Sequence, residues 1–169
     1  KDATKAKYYL QDLSENYSKF IHLFESVDNV FHLASDVSIP YCVEKPNESM
    51  ANNVLSTMIV LECSKVHNVD RFVFSSTSAV YGNSMFMPSV ETNKTGQYAP
   101  VMSIFARQLK NKEPLTVVEP GYQTRDFVHV SDVVYANILA TQRDLENYGE
   151  VFNIGTGEGT EIQTIADII

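Results

Sequence analysis

The chain reads as an α/β protein built on a doubly wound parallel sheet. Two short apolar runs, Asp28 to Ala34 and Phe72 to Ser75, have the length and β-rich content of buried parallel strands. A long helical pattern from Pro46 to about His67 lies between them and supplies the crossover that a parallel pair needs. The second run stops abruptly in four adjacent hydroxyls, Ser75, Ser76, Thr77 and Ser78. That is where ligands sit in open α/β sheets, beyond the carboxyl ends of the strands.

The elements follow in order. Lys7 to Leu10 reads as a weak strand, ending in Gln11, Asp12 and Leu13. Ser14 is placed to start a helix with Tyr17, Phe20, Ile21 and Phe24 on one face. Ser35 to Lys45 reads as a loop containing Pro40, and Pro46 as the first residue of the long helix. Met50, Val54, Met58, Leu61 and Cys63 are among that helix's apolar positions. The strand, helix, strand, long helix, strand alternation is that of a doubly wound sheet.

The pattern then breaks. From Tyr81 to about Pro100, about twenty residues carry no helical or strand period, which argues against a complete compact domain there. After the break come a helix near Val101 to Lys110, a strand at Leu115 to Val118 and a turn at Glu119, Pro120 and Gly121. An extended piece follows at Thr124 to Val130, then a helix capped by Ser131 or Asp132 and running to about Arg143. Val151 to Ile154 reads as a strand, followed by a glycine loop at Gly155 to Gly159 and a helix from Thr160.

Composition narrows the function classes. The chain has 169 residues, 44% of them apolar, which is enough for a core and speaks against a disordered chain. A net charge of −8 argues against a nucleic-acid binder, which needs a basic face. It leaves room for a small phosphate-bearing ligand held by one or two arginines. Cys42 and Cys63 make neither a metal spacing nor a disulfide framework, so no metal is expected, and Cys63 reads as a buried thiol. No stretch reaches transmembrane length and no signal peptide is visible; the expected setting is cytoplasmic and reducing, with no membrane partner.

Five stretches, HLAS at 32–35, NNVLST at 52–57, FVFSSTSAVYG at 72–82, TRDFVHVSD at 124–132 and VFNIGTGEGT at 151–160, resemble one family in the family's own order. It is the extended short-chain dehydrogenase/reductases that act on nucleotide sugars, the epimerase/dehydratase group whose type member is UDP-glucose 4-epimerase. The resemblance implies a Rossmann-type sheet holding NAD and a smaller C-terminal domain holding a nucleoside diphosphate sugar. On that reading residues 1–95 are a partial NAD-binding domain and residues 96–169 are mainly the substrate domain, with some elements free to return to the first sheet. The implied chemistry is transient oxidation of the sugar by hydride transfer, with 4-epimerisation of a UDP-hexose or UDP-uronic acid as the expected reaction. A homodimer through the long helix is implied as well.

Two signatures of the family are missing, so the fold is expected to be incomplete. The glycine-rich pyrophosphate turn would lie upstream of Lys1. The Tyr-x-x-x-Lys helix would follow Glu91, where the periodicity also fails, and a segment is expected to be absent between about Glu91 and Tyr98.

Residue by residue, Thr77 matches the family's catalytic Ser/Thr, a hydroxyl able to donate and accept as a sugar oxygen changes charge. Its Tyr and Lys partners are not present in this chain. Ser78 and Ala79 stand where dehydratases of the family carry an Asp-Glu pair, which favours epimerisation over dehydration. The implied cofactor contacts are Asp12, Leu13, Leu33, Ala34, Asn53, Ser75 and Ser76. The implied substrate contacts are Arg125, Ser38, Leu115 and Thr116. Arg125 suits two phosphate oxygens, a reading preferred to a surface arrangement with Asp126, which stays open. Asp12 matches the acid that meets the adenine amino group, but a helix-start carboxylate is as good a reading. His32 reads as a satisfied core histidine, and Ser56 replaces a usual glycine.

Two motifs are set aside. Tyr41 and Lys45 have the Tyr-x-x-x-Lys spacing, but they precede the hydroxyl strand and Pro40 and Pro46 bracket them. GTGEGT at 155–160 imitates a dinucleotide fingerprint, but it ends in Thr160 and reads as a turn into a capped helix.

Overall fold

The computed structural model describes residues 6–77, 80, 101–118, 121–144 and 149–169. They fall into two compact units, Lys1–Ser75 and Ser76–Ile169.

In the first unit, strand β1 (Asn29–His32) pairs in parallel with β2 (Arg71–Phe74), His32 lying opposite Phe74. Between them run α1 (Ile39–Glu44), α2 (Pro46–Met50), a π-turn at Ala51–Leu55 and α3 (Ser56–Val66). The last three form the expected long helix, with Pro46 in its first turn. Asn68, at φ +54, follows its end in the left-handed conformation that commonly stops a helix. The core holds Phe20, Val60 and Cys63, with α3 packed on β1 and on the turn at Ile21–Phe24.

Several local expectations are corrected. Lys7 to Leu10 form no strand and their side chains are exposed, because no described strand lies alongside to complete a ladder. The segment after Ser14 is not one helix but two 3-10 turns, Tyr17–Lys19, capped by Asn16, and Ile21–Phe24. Phe20, with φ −134, breaks the helix between them and drops its ring into the core. The expected loop at Ser35 to Lys45 contains α1. Ser38 caps it, and Pro40 sits in the first turn, where its missing N–H costs no helical bond.

Of the apolar positions named for the long helix, only Cys63 is buried. The helix's buried residues are Ser49, Ser56, Val60, Cys63 and Ser64, while Met50, Val54, Met58 and Leu61 are exposed. Small side chains let the helix axis approach the strands closely, so the face with the smaller residues is the one that packs.

In the second unit, α4 (Val101–Asn111) buries Phe105 completely. Strand β3 (Thr124–Arg125) pairs antiparallel with β4 (Thr160–Glu161), Arg125 opposite Thr160. Helices α5 (Val130–Gln142) and α6 (Ile162–Ile168) complete it. Leu115 to Val118 is not a strand. Gln108 of α4 takes the place of a ladder, its Oε1 accepting from Thr116 N at 3.2 Å and its Nε2 donating to Thr116 Oγ1 at 2.8 Å. The extended piece expected at Thr124 to Val130 is a strand only at Thr124–Arg125. Val151 to Ile154 is exposed and is not a strand. The cap of α5 is His129, whose ring Nδ1 accepts from Ser131 N, and not Ser131 or Asp132. The turn residues Glu119 and Pro120, the discriminating pair Ser78 and Ala79, and the segment from Glu91 to Tyr98 lie outside the described residues.

Candidate functional site

The first unit carries a cleft of about 290 Å³ just past the carboxyl end of β1, lined by Gln11, Asp12, Leu13, Ser14, Ala34, Ser35, Asp36, Asn52 and Ser56. Three of the sequence-predicted cofactor residues, Asp12, Leu13 and Ala34, meet there. Asp12 Oδ1 accepts from Ser14 N at 2.8 Å and from Ser14 Oγ at 2.7 Å. Those bonds from Ser14 hold its carboxyl below the usual carboxylate range. Asp12 is therefore an acceptor at neutral pH, suited to an amino donor such as that of adenine. Ser14 is turned to Asp12 instead of capping a helix.

Asn53 does not line the cleft. It shapes it. Its Oδ1 accepts from Asp36 N at 2.6 Å and its Nδ2 donates to Asp36 O at 3.0 Å, a two-point clamp on the loop that follows β1. Asn52 Nδ2 reaches the Asp36 carboxylate at 2.8 Å. Neighbouring positions on an α-helix point about 100° apart. The π-turn at Ala51–Leu55 widens the helix where both asparagines must reach one loop, and such turns recur at functional sites. Ser56, in place of the family's glycine, is accommodated by donating its hydroxyl back to Asn52 O. Asp36 and Asn52 were not singled out by sequence reasoning; the only available signal was an acid placed directly after HLAS.

The remaining predicted residues of this unit are placed as follows. Leu33 leaves β1 with its side chain exposed. Ser38 caps α1, accepting from Tyr41 N at 3.4 Å. Ser75 extends the parallel pairing, donating its N–H to His32 O at 3.1 Å. His32 is buried and bonded through Nε2 to Thr57 Oγ1 at 2.8 Å, with the ring of Phe74 stacked near it and that of Phe72 tilted against it. Burial pushes its pKa down, as suits a neutral core histidine.

In the second unit Ser76 and Thr77 are exposed on the chain shortly after β2. Thr116 is held by Gln108, and Leu115 is its half-buried neighbour. Arg125 Nη1 donates to Thr124 O at 2.7 Å, and no carboxylate lies within ion-pair distance of it among the described residues. The surface pair with Asp126 therefore does not form. Asp126 is bonded instead to Thr156 and Gly157 in the glycine loop. The loop's amides hold an internal carboxylate and are not free for a cofactor phosphate.

The Tyr41–Lys45 pair does not build a catalytic dyad. Lys45 lies outside the helix at φ −124 and ψ 59, and its Nζ is 3.5 Å from Glu48. Tyr41 donates to Glu48 Oε2 at 2.7 Å, and its phenol is pushed up to about 12 by that bond, the opposite of what a base requires. Among the described residues no cluster of His, Cys, Asp and Glu could hold a metal ion, and no helix is long and apolar enough to cross a membrane.

A parallel strand pair joined by a helical crossover, with a polar cleft at its carboxyl end, is the arrangement of a Rossmann-type α/β fold. The sequence profile of the NAD dependent epimerase/dehydratase family matches residues 9–101 and 93–155. The chain belongs to that family. It is 25% identical over 195 residues to the UDP-glucose 4-epimerase of Corynebacterium glutamicum, covering 83% of this chain and 59% of that protein. The structure of UDP-glucose 4-epimerase from Thermotoga maritima with UDP-glucose superposes with a TM-score of 0.81 at 27% identity, covering 98% of this chain and 67% of that one. MoeE5 in complex with UDP-glucose and NAD superposes with a TM-score of 0.71 at 25% identity, covering 92% of this chain and 64% of that one.

The chain thus spans between 59% and 61% of the length of the first curated relatives it matches. The Corynebacterium alignment runs over 195 residues, more than the 169 of this chain, so that relative carries residues with no counterpart here.

Proposed function

We propose that this protein is an NAD-dependent nucleotide-sugar epimerase acting at C4 of a UDP-hexose or UDP-uronic acid. The observation that carries the reading is the cleft past β1, where an ionised Asp12 and a loop clamped by Asn53 share one polar wall. That donor and acceptor set fits the adenosine side of a dinucleotide, with Leu13, Leu33, Ala34, Ser75 and Ser76 offering backbone and hydroxyl groups along the strand ends. NAD, when bound, supplies the hydride acceptor and donor at C4.

The protein's own residues bind and orient. Thr77 hydrogen-bonds the reacting hydroxyl, able to donate or accept as its charge changes. Arg125, with no carboxylate partner among the described residues, offers its guanidinium fork to the substrate diphosphate. Ser38 of the first unit, and Leu115 and Thr116 of the second, are each assigned to the substrate. Ser78 and Ala79 supply no carboxylate for proton removal at C5, which favours epimerisation over dehydration. Residues 1–95 serve mainly the cofactor and residues 96–169 mainly the substrate. The exposed Met50, Val54, Met58 and Leu61 stripe supports a homodimer through the long helix, and the setting is cytoplasmic.

The excess of alignment length over chain length favours one second reading: a protein that binds nucleotide sugar without turning it over, because the Tyr-Lys segment is absent. Intact mass and turnover separate the two. Incubation with UDP-glucose, followed by hydrolysis and sugar analysis, yields galactose on the first reading. UDP-glucose bound but unchanged by a chain of 19.0 kDa supports the second.

A further inference from the structure

The glycine loop at 155–159 is built around a side chain of the same unit. Thr156 N donates to Asp126 Oδ2 at 2.8 Å, Gly157 N to the same oxygen at 3.0 Å, and Thr156 Oγ1 to Oδ1 at 2.6 Å. The glycines match this arrangement. A Cβ on Gly155 would lie 2.7 Å from Asp126 Oδ2, and Gly157 has φ +81. Spacing that imitates a phosphate cradle is accounted for by a carboxylate already in place.

Asp126 directly follows Arg125, and successive side chains of an extended strand point to opposite faces. With Asp126 held on one side by the loop, Arg125 is directed to the other and escapes neutralisation by its neighbour. The strand pair that carries Arg125 has two residues on each side. Backbone bonds from Ile162 N to Gln123 O at 3.0 Å and from Gln163 N to Gly121 O at 3.1 Å hold it only at the end away from the loop, leaving the Arg125 end to Asp126. The loop leads straight into Thr160, the register partner of Arg125. We propose that Asp126 is a positioning residue, which fastens the 155–157 loop to the end of β3 and so sets where Arg125 meets a nucleoside diphosphate. This rests on the reading of Arg125 as the diphosphate contact.

UDP itself is the probe, its affinity measured by calorimetry on the full chain. Asp126→Asn weakens UDP binding about tenfold, as loss of a charged, hydrogen-bonded tie predicts. Gly155→Ala, which crowds the same carboxylate by another route, does likewise. The decisive comparison is the double variant: Arg125→Ala with Asp126→Asn binds UDP no more weakly than Arg125→Ala alone. Amide exchange supplies a ligand-free control, with Thr156 and Gly157 losing protection in Asp126→Asn while α4 keeps its own. If Asp126→Asn binds UDP like the parent, or if its loss adds in full to that of Arg125→Ala, the positioning role is overturned and the diphosphate reading survives. If the parent chain binds no UDP, the diphosphate reading fails and takes the positioning role with it.

Discussion

His32 Nε2 lies 2.8 Å from Thr57 Oγ1, and the Thr57 hydroxyl donates its one proton to Asn53 O at 2.7 Å. Thr57 must therefore accept from His32, which places the imidazole proton on Nε2. The relay runs from the sheet through α3 to the residue whose side chain clamps the cleft loop.

A neutral buried histidine makes stability depend on pH. Its folded pKa lies below the ordinary 6.5, because burial disfavours the charged ring. Below 6.5 the unfolded chain binds a proton that the folded one refuses, so stability is full above that pH and falls as pH drops toward the folded pKa. The slope in that window is bounded by the one-proton limit of about 1.4 kcal/mol per pH unit. Urea unfolding at pH 7.5, 6 and 5 measures it, and His32→Gln should flatten the decline; an unchanged decline in that variant contradicts the assignment.

Asn53→Leu removes both hydrogen bonds to the Asp36 backbone, leaving the Asp36 N–H without that partner and its carbonyl with only the weak Cys42 thiol donor at 3.8 Å. The expected cost is about 1–3 kcal/mol in unfolding free energy. NAD affinity, measured by fluorescence titration, should fall with it. A variant as stable as the parent would show that the clamp is incidental.

Tyr41 and Lys45 provide a negative control for the Tyr-x-x-x-Lys spacing. A phenol at about 12, bonded to Glu48, cannot serve as a base near neutral pH. Tyr41→Phe and Lys45→Met should each leave epimerisation within about twofold of the parent, well under the 10²–10⁴ contribution of an acid–base group. A thousandfold loss in either would return the pair to the reaction.

The two thiols should differ in reactivity. Cys63 is buried, and burial raises its pKa, whereas Cys42 is partly accessible and faces Asp36 O at 3.8 Å. Iodoacetamide on the native protein should label Cys42 alone, with Cys63 labelled only in denaturant. Peptide mass analysis reads the outcome, and native labelling of Cys63 would show that α3 opens readily.

Much of this arrangement was legible in the residues. The runs DNVFHLA and FVFS, with a helical crossover between them, pointed to a parallel pair, which forms at Asn29–His32 and Arg71–Phe74. Five ordered motifs pointed to the family, and Pro46, Cys63 and His32 took the places their chemistry suggested. The misreadings share a cause. Pro40 was read as a loop marker, yet a proline in a first turn is compatible with a helix that Ser38 caps. Leu115 to Val118 and Val151 to Ile154 have strand composition, but a strand exists only where another backbone lies alongside.

Local chemistry by itself determined the two parallel strands with their helical crossover, the hydroxyl-rich strand end and the family, since these depend on residue type and spacing along the chain. Only the tertiary structure decided which face of the long helix is buried and which partner each polar group takes. Asn53 turned to Asp36, Gln108 to Thr116, and Asp126 to the glycine loop instead of Arg125. Such pairings are set by distance in space, and donors and acceptors far apart in sequence leave no periodic trace from which to read them.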